Sequence, residues 1–266
     1  MLARSAGDEP RATQLVHQAL DMFRRGNALE TAQAATCLTL SGALALHDRP
    51  ADARRDLERA LATREHLLGP ESAEVADTLN ALGLVDRLQG RLKEAERSYR
   101  RALAIQRMQE PTAALGTTLH NLAQLAVQRG RSKEALGLFR EAIEIWERLD
   151  PQHPGLATAL NQAGFLAKKD KRYGEAIALL ERAGTPEAFL NLGAVHLKQT
   201  HLDESVRAYR KAVELLTEQW GPDDTRLAKP LDQLAFVLRE AEEYADAAEA
   251  ELRATRIRTV NALRGQ

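Results

Sequence analysis

The chain has 266 residues, 37 basic and 38 acidic side chains, a formal net charge of −1 and a single cysteine. This balance argues against nucleic acid or an anionic membrane as the main partner, and one cysteine cannot form an internal disulfide. Aromatic residues make up only 4% of the chain, and strand-like alternation of apolar residues is absent. The composition and pattern therefore predict an all-α protein.

One helical pattern recurs along the chain: a small residue, a bulky residue four positions later, and a second small residue three positions after that. These three positions lie on one helical stripe, so the bulky side chain can insert where the small ones let neighbouring backbones approach. The seven copies begin at Ala12, Ala53, Ala95, Ala135, Ala176, Ser205 and Ala247, at intervals of 41, 42, 40, 41, 29 and 42 residues. Twelve residues before the last six copies stand Ser41, Gly83, Ala123, Gly164, Gly193 and Ala235. The regular period predicts antiparallel helix pairs stacked in a solenoid.

In chain order, the pattern predicts a half-repeat or cap and then six helix pairs, the last of which ends in a C-terminal cap. Their expected bounds are 9–33 for the half-repeat and about 34–65, 76–107, 116–147, 157–183, 186–217 and 228–264 for the pairs. We therefore expect about thirteen helices in a right-handed superhelix and one domain over residues 1–266. The first residues lack the apolar region of a signal peptide and no 18-residue apolar run occurs, which favours a cytoplasmic protein.

Two departures from the regular pattern stand in the second half of the chain. The 29-residue interval contains Gly184, Thr185 and Pro186, which favour a helix end, a cap and a new first turn, respectively. A local change in superhelical pitch is expected there. Pro230 should either begin or kink the helix in which it lies.

The clearest repeat, with Leu82, Gly83, Ala95, Tyr99 and Ala102, resembles the tetratricopeptide repeat, and the resemblance extends over about residues 9–264. The longer period and the linkers at residues 68–71 and 220–224 resemble the 42-residue kinesin light chain subtype. The resemblance implies a scaffold that binds a peptide segment or a partner protein in a concave groove. Of the basic residues, 29 are Arg and eight are Lys, which favours a bacterial origin.

The candidate groove is the exposed stripe on the first helix of each pair. Asn80 and Asn161 occupy a position where kinesin light chain repeats place Asn that binds peptide backbone, and His120 fills that position between them. A side-chain amide offers both donors and an acceptor to an extended peptide. The candidate groove residues are Leu38, Asn80, Leu84, Arg87, His120, Gln124, Asn161, Phe165, Lys168 and Lys198.

The expected groove is apolar at one end and basic at the other. Leu38 and Leu84, extended by Leu46 and Leu88, are expected to hold an apolar anchor of the ligand. Lys168 and Lys198 are expected to face its acidic portion. Residues 1–10 are expected to cover the apolar end when no ligand is bound. Alternatively, the half-repeat at residues 9–26 permanently buries Leu38.

Catalytic motifs are absent from the sequence. The seven histidines form neither a His-Glu-x-x-His motif nor a cysteine-paired metal set, and no Gly-rich phosphate loop or nucleophile elbow occurs. We therefore expect no enzymatic activity, no metal and no cofactor. Two alternatives to groove binding remain open. One is self-assembly into a homo-oligomer, or docking in a larger signalling complex, through the convex face or the chain ends. The other is a peptide-pheromone-type receptor.

Overall fold

The computed structural model describes residues 9–26, 28–45 and 49–264, and in these ranges the protein contains thirteen α-helices, one 3-10 turn and no strand. The all-α prediction and the expected number of helices are confirmed. None of the described helices combines the length and apolar character needed to cross a membrane. The helices are α1 Glu9–Arg25, α2 Ala32–Leu44, α3 Pro50–Leu68, α4 Ala73–Leu88, α5 Leu92–Arg107, α6 Ala113–Gln128, α7 Ser132–Leu149, α8 Leu156–Lys169, α9 Tyr173–Ala183, α10 Pro186–Lys198, α11 Leu202–Trp220, α12 Ala228–Glu240 and α13 Tyr244–Arg264.

The chain divides into two compact units, Met1–Asp150 and Pro151–Gln266. In the first unit α1 packs on α2, and the antiparallel pairs α2–α3, α4–α5 and α6–α7 follow, each contacting the next. In the second unit the pairs are α8–α9, α10–α11 and α12–α13, again in contact in that order. Each unit is thus a stack of helical hairpins, as expected of a solenoid. The single domain over residues 1–266 stays a prediction.

The recurring small and bulky residues meet inside the hairpins. A Cβ atom added at Gly83 would lie 2.6 Å from the Tyr99 ring, and one added at Gly164 would lie 2.6 Å from Cγ of Leu180. Both bulky side chains are fully buried. The glycines are therefore required because the bulky side chain of the second helix lies directly against the backbone of the first, which confirms the predicted close contacts.

The described hairpin turns repeat one backbone arrangement. The residue before the second helix donates its N–H to the carbonyl five positions earlier, at 2.8 to 3.0 Å. These donor and acceptor pairs are Arg91 and Asp86, Arg131 and Ala126, Arg172 and Ala167, His201 and His196, and Glu243 and Leu238. The residue before each donor has a positive φ. It is glycine at 90 and 130, but Lys171, Thr200 and Glu242 in the second unit.

The two predicted irregularities form as local structure. Gly184 ends α9 in the left-handed conformation, with φ of 61°. The Thr185 hydroxyl accepts a hydrogen bond from the N–H of Ala188, and Pro186 is the first residue of α10. Pro230 is the third residue of α12 and follows the 3-10 turn Thr225–Leu227, so it lies in the first turn, where proline is tolerated. The change in pitch stays a prediction.

The apolar end of the predicted groove is covered by α1. Leu38 is only 2% exposed because Leu20 and Val16 of α1 pack on it. Of the two alternatives for Leu38, the exposed apolar anchor is therefore wrong. Burial by the N-terminal half-repeat is confirmed, since the amphipathic face of α1 covers this position. Leu46 and residues 1–8, which were expected to extend and to cover this patch, lie outside the described residues.

Candidate functional site

In the first unit, a pair of side-chain amides joins neighbouring hairpins on the predicted binding face. Nδ2 of Asn121, on α6, donates to Oδ1 of Asn80, on α4, at 3.1 Å. Both side chains are half-buried. Within the described residues the Nδ2 group of Asn80 makes no hydrogen bond, so it is available to donate to a carbonyl of a ligand.

His120 lies inside its hairpin and does not line the groove. Its ring is 5.4 Å from the Phe139 ring and 5.5 Å from the Trp146 ring, and the residue is 8% exposed. Nε2 of Gln124 donates to Nε2 of His120 at 2.9 Å. The expectation that His120 is solvent-accessible is wrong, because α7 supplies two aromatic rings that enclose it. The half-buried Gln124 holds the imidazole in place.

Leu84 and Arg87 follow Asn80 along α4, and both are half-buried. Arg87 lies near the buried hydroxyl of Tyr99: burial raises the pKa of Tyr99 to about 12, and the positive charge of Arg87 offsets only part of this rise. The exposed apolar side chains on the first helices of this unit include Leu88, at the end of α4, and Val127, at the end of α6. The first unit therefore retains an apolar surface, although Leu38 is not part of it.

In the second unit, a relay of three side chains connects α8 and α10. Nζ of Lys168 donates to Oδ1 of Asn191 at 2.8 Å. Nδ2 of Asn191 in turn donates to Oδ1 of Asn161 at 3.0 Å. The lysine fixes the orientation of the Asn191 amide, because an ammonium group can only donate. Within the described residues Nδ2 of Asn161 makes no further hydrogen bond, as with Asn80.

Lys168 has no carboxylate partner among the described residues. Its Nζ atom lies 4.9 Å from the centre of the Phe165 ring, a cation–π distance, and Phe165 itself is 43% exposed. Burial lowers the pKa of the Lys168 ammonium. A lysine that is partly removed from water without a counter-charge is held here by an amide oxygen and an aromatic face alone.

The relay borders a cavity of about 400 Å³ between the first helices of three successive hairpins, α8, α10 and α12. Its lining residues are Lys168, Glu187, Leu190, Asn191, Ala194, Arg226, Lys229, Pro230 and Gln233. Lys198 is not among them, because it stands at the far end of α10, beside the turn. Of the two lysines predicted to face an acidic ligand, the structure therefore places only Lys168 in the cavity, together with Lys229.

The charge of Arg226 is already neutralised. Its guanidinium donates two hydrogen bonds to the carboxylate of Asp224, at 2.9 and 2.8 Å, and stacks 4.3 Å from the Trp220 ring. Hydrogen bonds from Arg226 lower the pKa of Asp224 to about 2. The charges that remain at the cavity are those of Lys168, Lys229 and the acidic Glu187.

Comparison with known proteins identifies the repeats. Residues 30–108, 114–183 and 184–259 match the sequence model of the tetratricopeptide repeat. The chain belongs to the tetratricopeptide repeat family. No curated protein matches it in sequence.

Several solved tetratricopeptide repeat (TPR) structures share its fold. BtubC (BKLC) from P. vanneervenii has a TM-score of 0.67 and 20% identity, over 84% of this chain and 93% of that one. MamA from Desulfovibrio magneticus RS-1 has a TM-score of 0.54 and 19% identity, over 70% of this chain and 96% of that one. A kinesin light chain-like protein from Podosopora anserina, with nearly identical TPR-like repeats, has a TM-score of 0.52 and 15% identity, over 87% of this chain and 98% of that one. At these identities the likeness shows the fold.

Sequence reasoning missed the second member of each amide pair in these TPR hairpins. Asn121 and Asn191 stand two residues before the small residue of the first helix, whereas Asn80 and Asn161 stand three residues before it. The signal was present, since an Asn at one position is followed in the next repeat by an Asn at the other. Across the part of the chain that the structure describes, no three His, Cys, Asp or Glu side chains converge as a metal site.

Proposed function

We propose that this TPR protein binds an extended peptide segment of a partner protein along the first helices of its hairpins. We further propose that the cavity beside Lys168 receives an acidic group of that segment. TPR repeats generally act as protein-interaction modules, which supports the general role. The observation that carries the specific role is a half-buried lysine at the wall of a cavity, hydrogen-bonded to Asn191 and without a carboxylate partner in the described chain.

An acidic ligand group fits this arrangement for an electrostatic reason. A lysine that has lost part of its hydration regains stabilisation when a carboxylate reaches it, and the gain is larger than at a fully solvated site. Lys229 adds a second positive charge, whereas Glu187 repels a carboxylate placed on its side of the cavity. The acidic group is therefore expected to lie between the two lysines and away from Glu187.

Backbone recognition is the second part of the proposal. Asn80 and Asn161 each keep an amide N–H₂ group that the described residues leave without an acceptor, and each is held by a neighbouring Asn. A peptide carbonyl can accept from such a group whatever its side chain, at about 0.5–1.5 kcal/mol per bond. In the first unit, Leu84 and Leu88 offer apolar contact to a ligand side chain.

Selection of random twelve-residue peptides on the full chain tests the proposal directly. We expect the selected peptides to be enriched in Asp and Glu, because the cavity carries more positive than negative charge. For one selected peptide, Lys168→Met should weaken binding roughly tenfold or more, since it removes the partly buried charge.

The matched control is Lys198→Met, which removes the same type of side chain from the same unit outside the cavity. We expect this variant to bind like the natural chain, apart from a small loss that disappears at high salt. Equal losses in the two variants would show that only net charge matters and would contradict a site at Lys168. Unchanged melting temperatures confirm that both variants are folded.

A further inference from the structure

In each of the five described turns, one backbone hydrogen bond joins a donor residue to an acceptor residue five positions earlier. The α10–α11 turn differs from the other four in the side chains at these two positions. In the α4–α5 turn these positions hold Asp86 and Arg91, whose side chains form an ion pair at 2.8 Å. In the α6–α7 and α8–α9 turns they hold Ala and Arg. In the α10–α11 turn both are histidines, His196 and His201, with ring centres 6.1 Å apart.

The surroundings of His196 favour its neutral form. The side chain is half-buried, and its Nδ1 atom is enclosed without a hydrogen-bond partner in the described structure. Burial lowers the pKa of His196 most strongly. Among the smaller effects, nearby carboxylates raise this pKa and nearby basic groups lower it further. The groups that act on the ring are Glu204 and Arg207 of α11, Glu181 of α9, and His201.

The same turn carries two further signs of poor local stability. Thr200 has φ of 61°, a left-handed conformation that is costly for a β-branched residue. Oε1 of Gln199 is buried without a hydrogen-bond partner among the described residues. The α10–α11 turn therefore combines a strained residue, an unpaired buried acceptor and two titratable rings.

We propose that His196, packed beside His201, makes this turn a proton-sensitive joint, which loosens α10 and weakens the ligand site when the His196 ring becomes charged. The proposal rests on the proposed function for its effect on binding. The connection is short, because Asn191, which accepts a hydrogen bond from Lys168, lies five residues before His196 on the same helix.

The direction of the effect follows from the state that the fold prefers. Because the folded protein holds His196 neutral, its contribution to stability is fully present above the ordinary histidine value of about 6.5 and declines as pH falls below it. Protonation of His196 is then opposed by repulsion from His201 and Arg207. Glu204 and Glu181 offset part of this repulsion.

The chain itself supplies the control variant. The double substitution His196→Ala and His201→Arg reproduces the pair that the α8–α9 turn holds at Ala167 and Arg172. We expect the urea midpoint of the natural chain to fall between about pH 7.5 and about pH 5.5 by more than that of the double variant. Equal falls in the two proteins would overturn the proposal, since the remaining histidines are common to both.

A direct measurement on the natural chain removes any dependence on how the double variant folds. In an NMR titration the His196 ring should titrate below about pH 6.5, and amide exchange in α10 and α11 should become faster relative to α12 as it does so. A titration midpoint of His196 at or above that value, or unchanged relative amide exchange in α10 and α11, would contradict the proposed joint.

Binding of one selected acidic peptide gives the functional readout. Its affinity should fall several-fold more between about pH 7.5 and about pH 5.5 for the natural chain than for the double variant. The variant corrects for protonation of the peptide, which affects both proteins alike. Absence of any binding at neutral pH contradicts the proposed function but leaves the stability and NMR results as tests of the joint. Binding with the same pH dependence in both proteins contradicts the coupling.

Discussion

Single residues in this protein are specified by what lies opposite them in the hairpin. Gly83 shows this most clearly, because its missing side chain makes room for the Tyr99 ring. Lys168 shows the reverse case, since its charge has an amide oxygen and an aromatic ring opposite it instead of a carboxylate. Packing explains the glycine, whereas for the lysine we propose that the carboxylate of a ligand supplies the missing counter-charge.

Two glycine substitutions test the packing at this scale. Gly83→Ala should lower the free energy of unfolding by about 1–3 kcal/mol, because the new Cβ would lie 2.6 Å from the Tyr99 ring. Gly137→Ala, on the exposed face of α7 with nothing within 4 Å, should raise stability by roughly 0.5–1 kcal/mol. Urea unfolding of both variants measures the difference. Effects of the same sign would contradict the proposed role of Gly83.

At the scale of the element, the hairpin turn is the unit that the chain varies. The first unit uses glycine for the left-handed residue at positions 90 and 130, whereas the second unit uses Lys171, Thr200 and Glu242. The helices on either side are nevertheless joined by the same backbone hydrogen bond. The fold thus tolerates side chains that the turn geometry disfavours, and part of the stability of the second unit is lost there.

Replacing Thr200 by glycine should relieve this strain. A left-handed conformation costs a residue with a side chain about 1–2 kcal/mol, which glycine avoids. Glycine in turn loses about 0.5–1 kcal/mol through its greater chain entropy in the unfolded state. We therefore expect Thr200→Gly to raise the free energy of unfolding by up to about 1 kcal/mol. Gly90→Ala, the opposite change in the corresponding turn, should lower it. Chemical denaturation of both variants measures these changes. If Thr200→Gly destabilises the protein, the hydrogen bond from the Thr200 hydroxyl to the Gln199 carbonyl contributes more than the strain costs.

The helices were predictable because their causes are local and repeated. The pattern of small and bulky residues located thirteen helices, and Gly184, Thr185 and Pro186 marked the irregular boundary between α9 and α10. Burial of Leu38 was only one of two alternatives, and burial of His120 was not predicted. Burial depends on which face of α1 and which aromatic rings of α7 lie against those residues, and a repeat pattern does not specify either.

For the whole molecule, membership of the TPR family accounts for the stacked hairpins of each unit. The relay between α8 and α10 is a feature of the second unit alone. The sequence pattern singled out Asn80, Asn161 and Lys168 as candidates, but it did not indicate Asn121 and Asn191, which hold them. Those partners lie in the following repeat. Whether two side chains of neighbouring repeats can pair depends on the distance between the hairpins, which the sequence pattern does not give. The central claim is therefore a contact between Lys168 and an acidic group of a ligand.

A double-mutant cycle measures that contact most directly. The affinity of one selected acidic peptide and of its Glu→Gln counterpart is determined for the natural chain and for Lys168→Met. If Lys168 binds the carboxylate, the Glu→Gln change should weaken binding to the natural chain by roughly tenfold and have little effect on the variant, a coupling of about 1.4 kcal/mol. Equal losses in both proteins for every acidic position of the peptide would mean that no carboxylate meets Lys168, and would contradict the account.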